Sequence, residues 1–231
     1  MSTGMPPHFA PDRELDANPP HSVTVTRAAS RTDTIPPMDS DRMIHHRLEM
    51  AQRAVETLRG QSAVIARACG MLVQALESGG TVLTCGNGGS AAEALHLAEE
   101  LSGRYRANRP ALRGLSLCAD PTALTCIAND FGFDHVFARQ VEALGRAGDL
   151  LVVFSTSGRS ANLVRALHVA RERGIATLGL LGGEGGACLP LCDHAIVVHG
   201  VDGAGIQEAH QMIMHILCEA CEARFAGGAK A

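Results

Sequence analysis

Apolar residues recur every three to four positions over residues 43–58 and again over 61–79, and both stretches predict helices. In the first, Leu48, Ala51, Val55 and Leu58 fall on one stripe; the second stops at Gly79-Gly80. The pattern then changes. Short, continuous apolar runs at 81–85, 112–117, 149–154, 176–181 and 195–198 predict buried strands. Helical stretches at 91–102, 121–129, 135–144 and 160–173 separate them, and a long one at 206–225 follows the last. Pro121 stands at the first turn of its helix, where its missing N–H costs nothing. Strands that are apolar throughout, alternating with helices, imply a parallel sheet covered on both faces. The expected fold class is α/β, a doubly wound parallel five-stranded sheet flanked by helices, with extra N-terminal helices. An internal echo accompanies it: Gly88-Gly89-Ser90-Ala91 and Gly158-Arg159-Ser160-Ala161 each open a helix, and Ala-Leu-His follows at 94–96 and at 166–168. A duplicated βα unit and two similar helix starts account for it equally well.

The first forty residues do not share this pattern. They hold seven of the ten prolines, five acids and three arginines, with no apolar period. Residues 1–40 are therefore expected to form a disordered Pro-rich extension, and residues 41–231 a single domain. The chain has 231 residues, 46% of them apolar and 19% charged, enough to bury a substantial core. A formal net charge of -4 excludes a nucleic-acid surface spread over the whole fold. One tyrosine, no tryptophan and 3% aromatic residues exclude platforms for stacking bases. No apolar run approaches the ~20 residues of a membrane span, and no hydrophobic stretch follows a basic start. Most of the eight cysteines lie inside apolar runs, which suits reduced, buried thiols and a cytoplasmic location, and Cys218-x-x-Cys221 has no partner pair for a zinc ribbon.

Four places carry candidate chemistry. Residues 85–90, Cys-Gly-Asn-Gly-Gly-Ser, join a strand to a helix, and their glycines allow close backbone approach to a ligand at a helix N-terminus. Gly86-x-Gly88-x-x-Ala91 also matches a dinucleotide fingerprint, but the nearest candidate for its acid at the end of the next strand, Asp120, stands farther along than that motif requires. A tight turn that needs glycine is the plainer reading. Residues 155–160, Ser-Thr-Ser-Gly-Arg-Ser, put four hydroxyls at another helix start; a phosphate cradle needs that many, whereas a cap needs one. No Gly-Lys-Ser/Thr pair is present, so this is not a nucleotide-hydrolysing P-loop. His96 and Glu100 are four apart on the helix that the glycine loop opens, a spacing that suits a surface pair as well as a site. Gln207 and His215 differ by only about 80° in helical direction, so both can face one pocket, while His210 is offset from His215 by about 140° and serves elsewhere.

At this point a resemblance is evident. The stretches CGNGGSAAEALHLAEELSGRYRANRP (85–110), IANDFGFDHVFARQVEALGRAGD (127–149), STSGRSANLVRAL (155–167) and IQEAHQMIMHIL (206–217) resemble the sugar isomerase (SIS) domain family, and within it the isomerases of a seven-carbon ketose phosphate. The resemblance runs from about residue 43 onward and implies a flavodoxin-like strand order. It implies that Ser155, Thr156, Ser157 and Ser160 hold the substrate phosphate. Asn87, Gly88 and Gly89, with Asn129 and Asp130, would contact the sugar hydroxyls. Glu100 and His215 would be the acid/base pair, and His96, Glu100, Gln207 and His215 would bind one zinc per subunit, with no nucleotide cofactor. It further implies a homotetramer whose sites are built between subunits, and a product that feeds lipopolysaccharide-core heptose.

The residue types suit that chemistry. Moving a carbonyl between C2 and C1 takes a proton from one carbon and returns it to its neighbour, which a carboxylate or imidazole can do. The enediol oxygens gather charge that a cation or hydrogen-bond donors must stabilise. Gln is an unusual zinc ligand, since its carbonyl is neutral and hard. Two local departures stand out: Gly205 precedes Ile206 where a basic residue is expected, and residues 181–186 are glycine-rich rather than basic. Three other readings compete. A non-catalytic SIS relative that binds the replication initiator is disfavoured by Glu100 and His215 together, a phosphosugar-sensing regulator by the lack of a DNA-binding domain in forty Pro-rich residues, and a dinucleotide oxidoreductase by the hydroxyl-rich loop. An isomerase of another phosphosugar remains an alternative.

Overall fold

A computed structural model describes residues 39–226. Helices α1 (Ser40–Arg59) and α2 (Ser62–Glu77) lead into β1 (Val82–Gly86), α3 (Gly89–Ser102), β2 (Gly114–Ser116) and α4 (Pro121–Phe131). Then come α5 (Ala138–Leu144), β3 (Leu150–Ser155), α6 (Ala161–Glu172), β4 (Ala176–Gly182), β5 (His194–Val198) and α7 (Gly203–Phe225). The five strands pair in parallel in the order β2-β1-β3-β4-β5. This is the expected doubly wound sheet with its two leading helices. The order reverses between β1 and β3, and the crevice beyond the carboxyl ends of those strands is where such sheets take their ligands.

Strand β3 shows why the sheet needs cover on both faces. Leu150, Val152 and Phe154 point into one apolar cluster, Leu151 and Val153 into the other. The first cluster is completed by α1, α2, α3 and α7, through residues such as Leu58, Leu72, Leu97 and Ile213. The second is completed largely by α5 and α6, through Val141, Leu163 and Leu167. So α3 and α7, far apart in sequence, lie on the same face.

Three expectations shift. The buried row of α1 is Met50, Ala54 and Leu58, and Leu48 is 64% exposed. That row packs on α7 and β5, and Arg47, on the same face as Met50 and Ala54, adds bonds to Asp202 (3.0 Å) and Glu208 (3.4 Å) at its edge. Asp39 and Ser40 were placed in the extension. Instead Asp39 caps α1, accepting from the Arg42 N–H, and Ser40 is its first residue; residues 1–38 of the expected extension lie outside the described residues. A turn of 3-10 helix at Gly186–Leu191 had no periodic signal, because its length is below what a pattern can reveal.

All eight cysteines carry free thiols. Burial pushes Cys188 up to about 11 and Cys192 and Cys221 up to about 12, so these are packing residues rather than nucleophiles. Among the described residues no helix is long and apolar enough to cross a membrane.

Asp149 fixes where β1 and β3 begin. Its buried carboxylate accepts from the backbone N–H of Thr81 (2.7 Å) and of Arg146 (2.9 Å). Asp149→Ala orphans both donors, and the expected loss is about 2–4 kcal/mol of unfolding free energy, read from urea denaturation. A change below about 0.5 kcal/mol would show that water satisfies both groups.

Candidate active site

The glycine loop is shaped by α3. A Cβ on Gly86 would stand 2.4 Å from the Ser90 carbonyl oxygen, and Gly88 has φ +57, so α3 can begin this close to β1 only behind glycines. The Asn87 side chain does not simply await a substrate. Its amide donates to Asn162 Oδ1 at 3.0 Å, and the Asn162 amide donates back to Asn87 Oδ1 at 2.9 Å. This reciprocal pair ties the loop after β1 to α6, which follows β3, and so spans the crevice. Sequence reading missed Asn162 because a polar residue in a first helical turn carries no signal of its own.

The hydroxyl loop follows β3. Ser155 is buried, and its Oγ accepts from the Gly158 N–H at 2.9 Å; exposed Ser157 accepts from the Arg159 N–H at 3.3 Å, and Thr156 is half-buried. Ser160 holds the N-cap position of α6 but its side chain makes no capping bond, so the hydroxyls are not there to cap. An uncapped helix start with hydroxyls around it suits an anion. The glycine-rich stretch after β4 has a packing reason. A Cβ on Gly182 would stand 2.4 Å from the Thr156 carbonyl oxygen, and one on Gly158 2.0 Å from that of Gly185. The two loops mesh backbone to backbone. At the other departure, Arg47 Nη2 would lie 3.1 Å from a Cβ on Gly205, so α1 brings a cation beside this loop.

Helices α3 and α7 bring three titratable groups together. His96 Nε2 lies 3.2 Å from Glu100 Oε1, the His96 and His215 rings are 5.5 Å apart edge to face, and one donor atom from each of His96, Glu100 and His215 lies within 4.8 Å of the others. Gln211, unassigned from sequence, stands between the histidines: its Nε2 is 2.7 Å from His96 Nδ1 and 3.2 Å from His215 Nε2. With the amide donating to both, the His96 proton sits on Nε2, facing Glu100, and the His215 proton on Nδ1. Its one signal was lying four residues before His215. Gln207 packs on the start of α3, where its Nε2 would be 2.0 Å from a Cβ on Gly89. Asn129 and Asp130 are exposed at the end of α4 and bond each other at 2.8 Å, with no hydrogen bond to another expected site residue. His210 is fully buried near Phe154, away from His215 as expected.

The remaining wall is Tyr105, also missed from sequence. Its ring lies tilted to that of His215 at 5.2 Å, and the Arg106 guanidinium stands over it at 4.7 Å. Glu222 of α7 holds this loop by accepting from the backbone N–H of Arg106 (2.6 Å) and Ala107 (2.9 Å). Two imidazoles and a carboxylate with mutually close donor atoms fit zinc, which would take a ring nitrogen of each histidine in place of its present bond to Glu100 or Gln211.

The family model of the SIS domain matches residues 27–182, two thirds of the chain, and ends in β4. The chain belongs to the SIS-domain family. Its half-identical relatives narrow the class: it shares 50% identity over 173 residues with phosphoheptose isomerase 1 of Campylobacter jejuni, covering 75% of this chain and 91% of that protein. The solved phosphoheptose isomerase of Neisseria gonorrhoeae matches with a TM-score of 0.74 at 38% identity, over 80% of this chain and 98% of that one. That of Francisella tularensis matches equally well at 34% identity, over 80% and 99%. Within the SIS family the chain stands on the phosphoheptose isomerase branch.

Untying the Tyr105 loop should be visible directly. Glu222→Ala is expected to raise amide exchange across residues 103–110, read by hydrogen–deuterium exchange, while Glu222→Gln keeps an acceptor and part of the protection. Unchanged exchange in Glu222→Ala would mean that the loop is held by something else.

Proposed function

We propose that the protein is a ketose–aldose isomerase that interconverts sedoheptulose 7-phosphate and D-glycero-D-manno-heptose 7-phosphate by proton transfer through a cis-enediol. The observation that carries the reading is the convergence of Glu100 and His215, from helices on two separate parts of the chain, around His96 and Gln211. The phosphate would rest on Ser155, Thr156, Ser157, Ser160 and the start of α6. Gly88 and Gly89 would offer backbone to the sugar, and Asn87 would hold that loop in place through Asn162.

Each acid/base group is already oriented. The His96 N–H occupies Glu100 Oε1, which leaves Oε2 to take a proton from carbon. His215, held beside Gln211 at 3.2 Å, would exchange the second proton with the substrate. Zinc held by His96, Glu100 and His215, with Gln207 as a further candidate ligand, would supply a Lewis acid for the two oxygens. Asn129 and Asp130 are exposed, and an apolar groove lined by Val55, Leu58, Ile65, Met212 and Ile216 opens between α1, α2 and α7. Both suit a homotetramer whose sites are completed by a neighbouring subunit. In this reading the enzyme is cytoplasmic, needs no nucleotide cofactor, and makes a precursor of lipopolysaccharide-core heptose.

Purified protein given sedoheptulose 7-phosphate should yield an aldoheptose 7-phosphate by NMR, with activity lost to a chelator and restored by zinc. Glu100→Gln and His215→Gln should each lower kcat by at least about 10²-fold with the assembly intact. Ser157→Ala should chiefly raise KM. No conversion with zinc present would overturn the assignment; near-parental turnover in either acid/base variant would overturn that residue's role.

A further inference from the structure

Between the glycine loop and the histidines, the seam of α3 and α7 holds a pair that the chemistry above does not use. Glu93 is 6% exposed and His210 0%, and Glu93 Oε2 lies 3.8 Å from His210 Nδ1. None of the two carboxylate oxygens and two ring nitrogens has a hydrogen-bond partner. The His210 ring faces Phe154 of β3 at 6.2 Å, and the neighbouring positions Ala94, Leu97, Ile206 and Ala209 are all apolar core. A carboxylate and an imidazole in such a place are costly, and an apolar pair of the same volume would be expected to hold the fold as well or better. Stability therefore gives no account of them.

Their position does. The contacts along the seam advance together: Gly89 on Gln207, Glu93 on His210, His96 on Gln211, and His96 and Glu100 on His215. The two helices thus run parallel, and the Glu93–His210 pair is their polar contact next below the reacting groups. Apolar side chains would let α3 and α7 settle wherever bulk allows. A pair of opposite polarity in a low dielectric has one preferred approach. We propose that Glu93 and His210 are positioning residues, a buried tie between α3 and α7 that holds His96 and Glu100 at the spacing from His215 which zinc binding and proton transfer require. This rests on the reading of His96, Glu100 and His215 as the reacting site.

The test is the double variant Glu93→Met/His210→Leu, which removes the polar pair at nearly constant volume, made beside Glu93→Gln, which keeps a polar group of the same size facing His210. Thermal midpoint, zinc affinity of the metal-stripped protein, kcat and KM are measured for both. The double variant is expected to melt at or above the parent's temperature, yet to lose about 10–100-fold in zinc affinity and in kcat with KM little changed. Glu93→Gln is expected to recover most of both. Crystal structures read the same claim without metal or substrate: the His96–His215 ring separation, 5.5 Å here, should change by roughly 1 Å in the double variant, enough to misplace reacting groups. A double variant with parental zinc affinity, turnover and ring separation would overturn the proposal. So would one that loses function only together with its melting temperature, since that is a structural role. A parent that fails to isomerise the heptose phosphate would sink the catalytic reading alone, and the zinc titration and ring separation would still decide the tie.

Discussion

Helix α3 meets α7 first at residue 89, which has no side chain. A Cβ there would stand 2.0 Å from the Gln207 amide, so any other residue would displace the Gln207 side chain at the end where the crevice opens. Farther along, His96 on α3 meets Gln211 and His215 on α7. The sheet makes the meeting possible at a distance in sequence: α3 follows β1 and α7 follows β5, but both pack on the face that receives Leu150, Val152 and Phe154. Apolar burial holds the helices on the sheet; the glycine and the polar contacts decide how they face each other.

The opposite wall is set by a different constraint, backbone lying directly on backbone. Gly158 and Gly182 leave no room for a Cβ, and the loops after β3 and β4 fit together as a result. Ser155 adds its bond to the Gly158 N–H from below. In the proposed role, a loop held this way would meet a phosphate already in shape, so little ordering would have to accompany binding. The Asn87–Asn162 pair then links this wall to the glycine loop across the strand reversal.

Much of this was legible in the chain. Continuous apolar runs gave the five strands because a parallel sheet buries both faces, and β3 is buried at every position. The hydroxyl loop and the His96/Glu100 spacing were readable because local sequence alone forms them. What sequence concealed depends on distant partners. Asn162, Gln211, Tyr105 and Glu222 are ordinary residues until Asn87, His96, His215 and the Arg106 backbone arrive beside them. The buried row of α1 is hidden for the same reason, since it is set by packing on α7 and β5, far away in the chain. In the glycine-rich stretch at 181–186, packing against the hydroxyl loop accounts for Gly182 and Gly186.

A doubly wound sheet with an anion site at its strand reversal serves binding as readily as catalysis, so the fold does not choose between them. The α3–α7 seam does. Holding a phosphorylated sugar requires donors and shape, which the loops after β1 and β3 would supply in the proposed role. It does not require a carboxylate with one oxygen occupied by an imidazole N–H, nor an amide that fixes the tautomers of two histidines, nor an aromatic ring laid over one of them. Those features restrict where protons can sit and go, and proton position matters to a reaction that moves hydrogen between adjacent carbons. They lie on regular helices, one of them fastened to the Tyr105 loop by Glu222, rather than on a mobile segment. Rigid elements are where a reaction with small tolerance for misplacement has to be built.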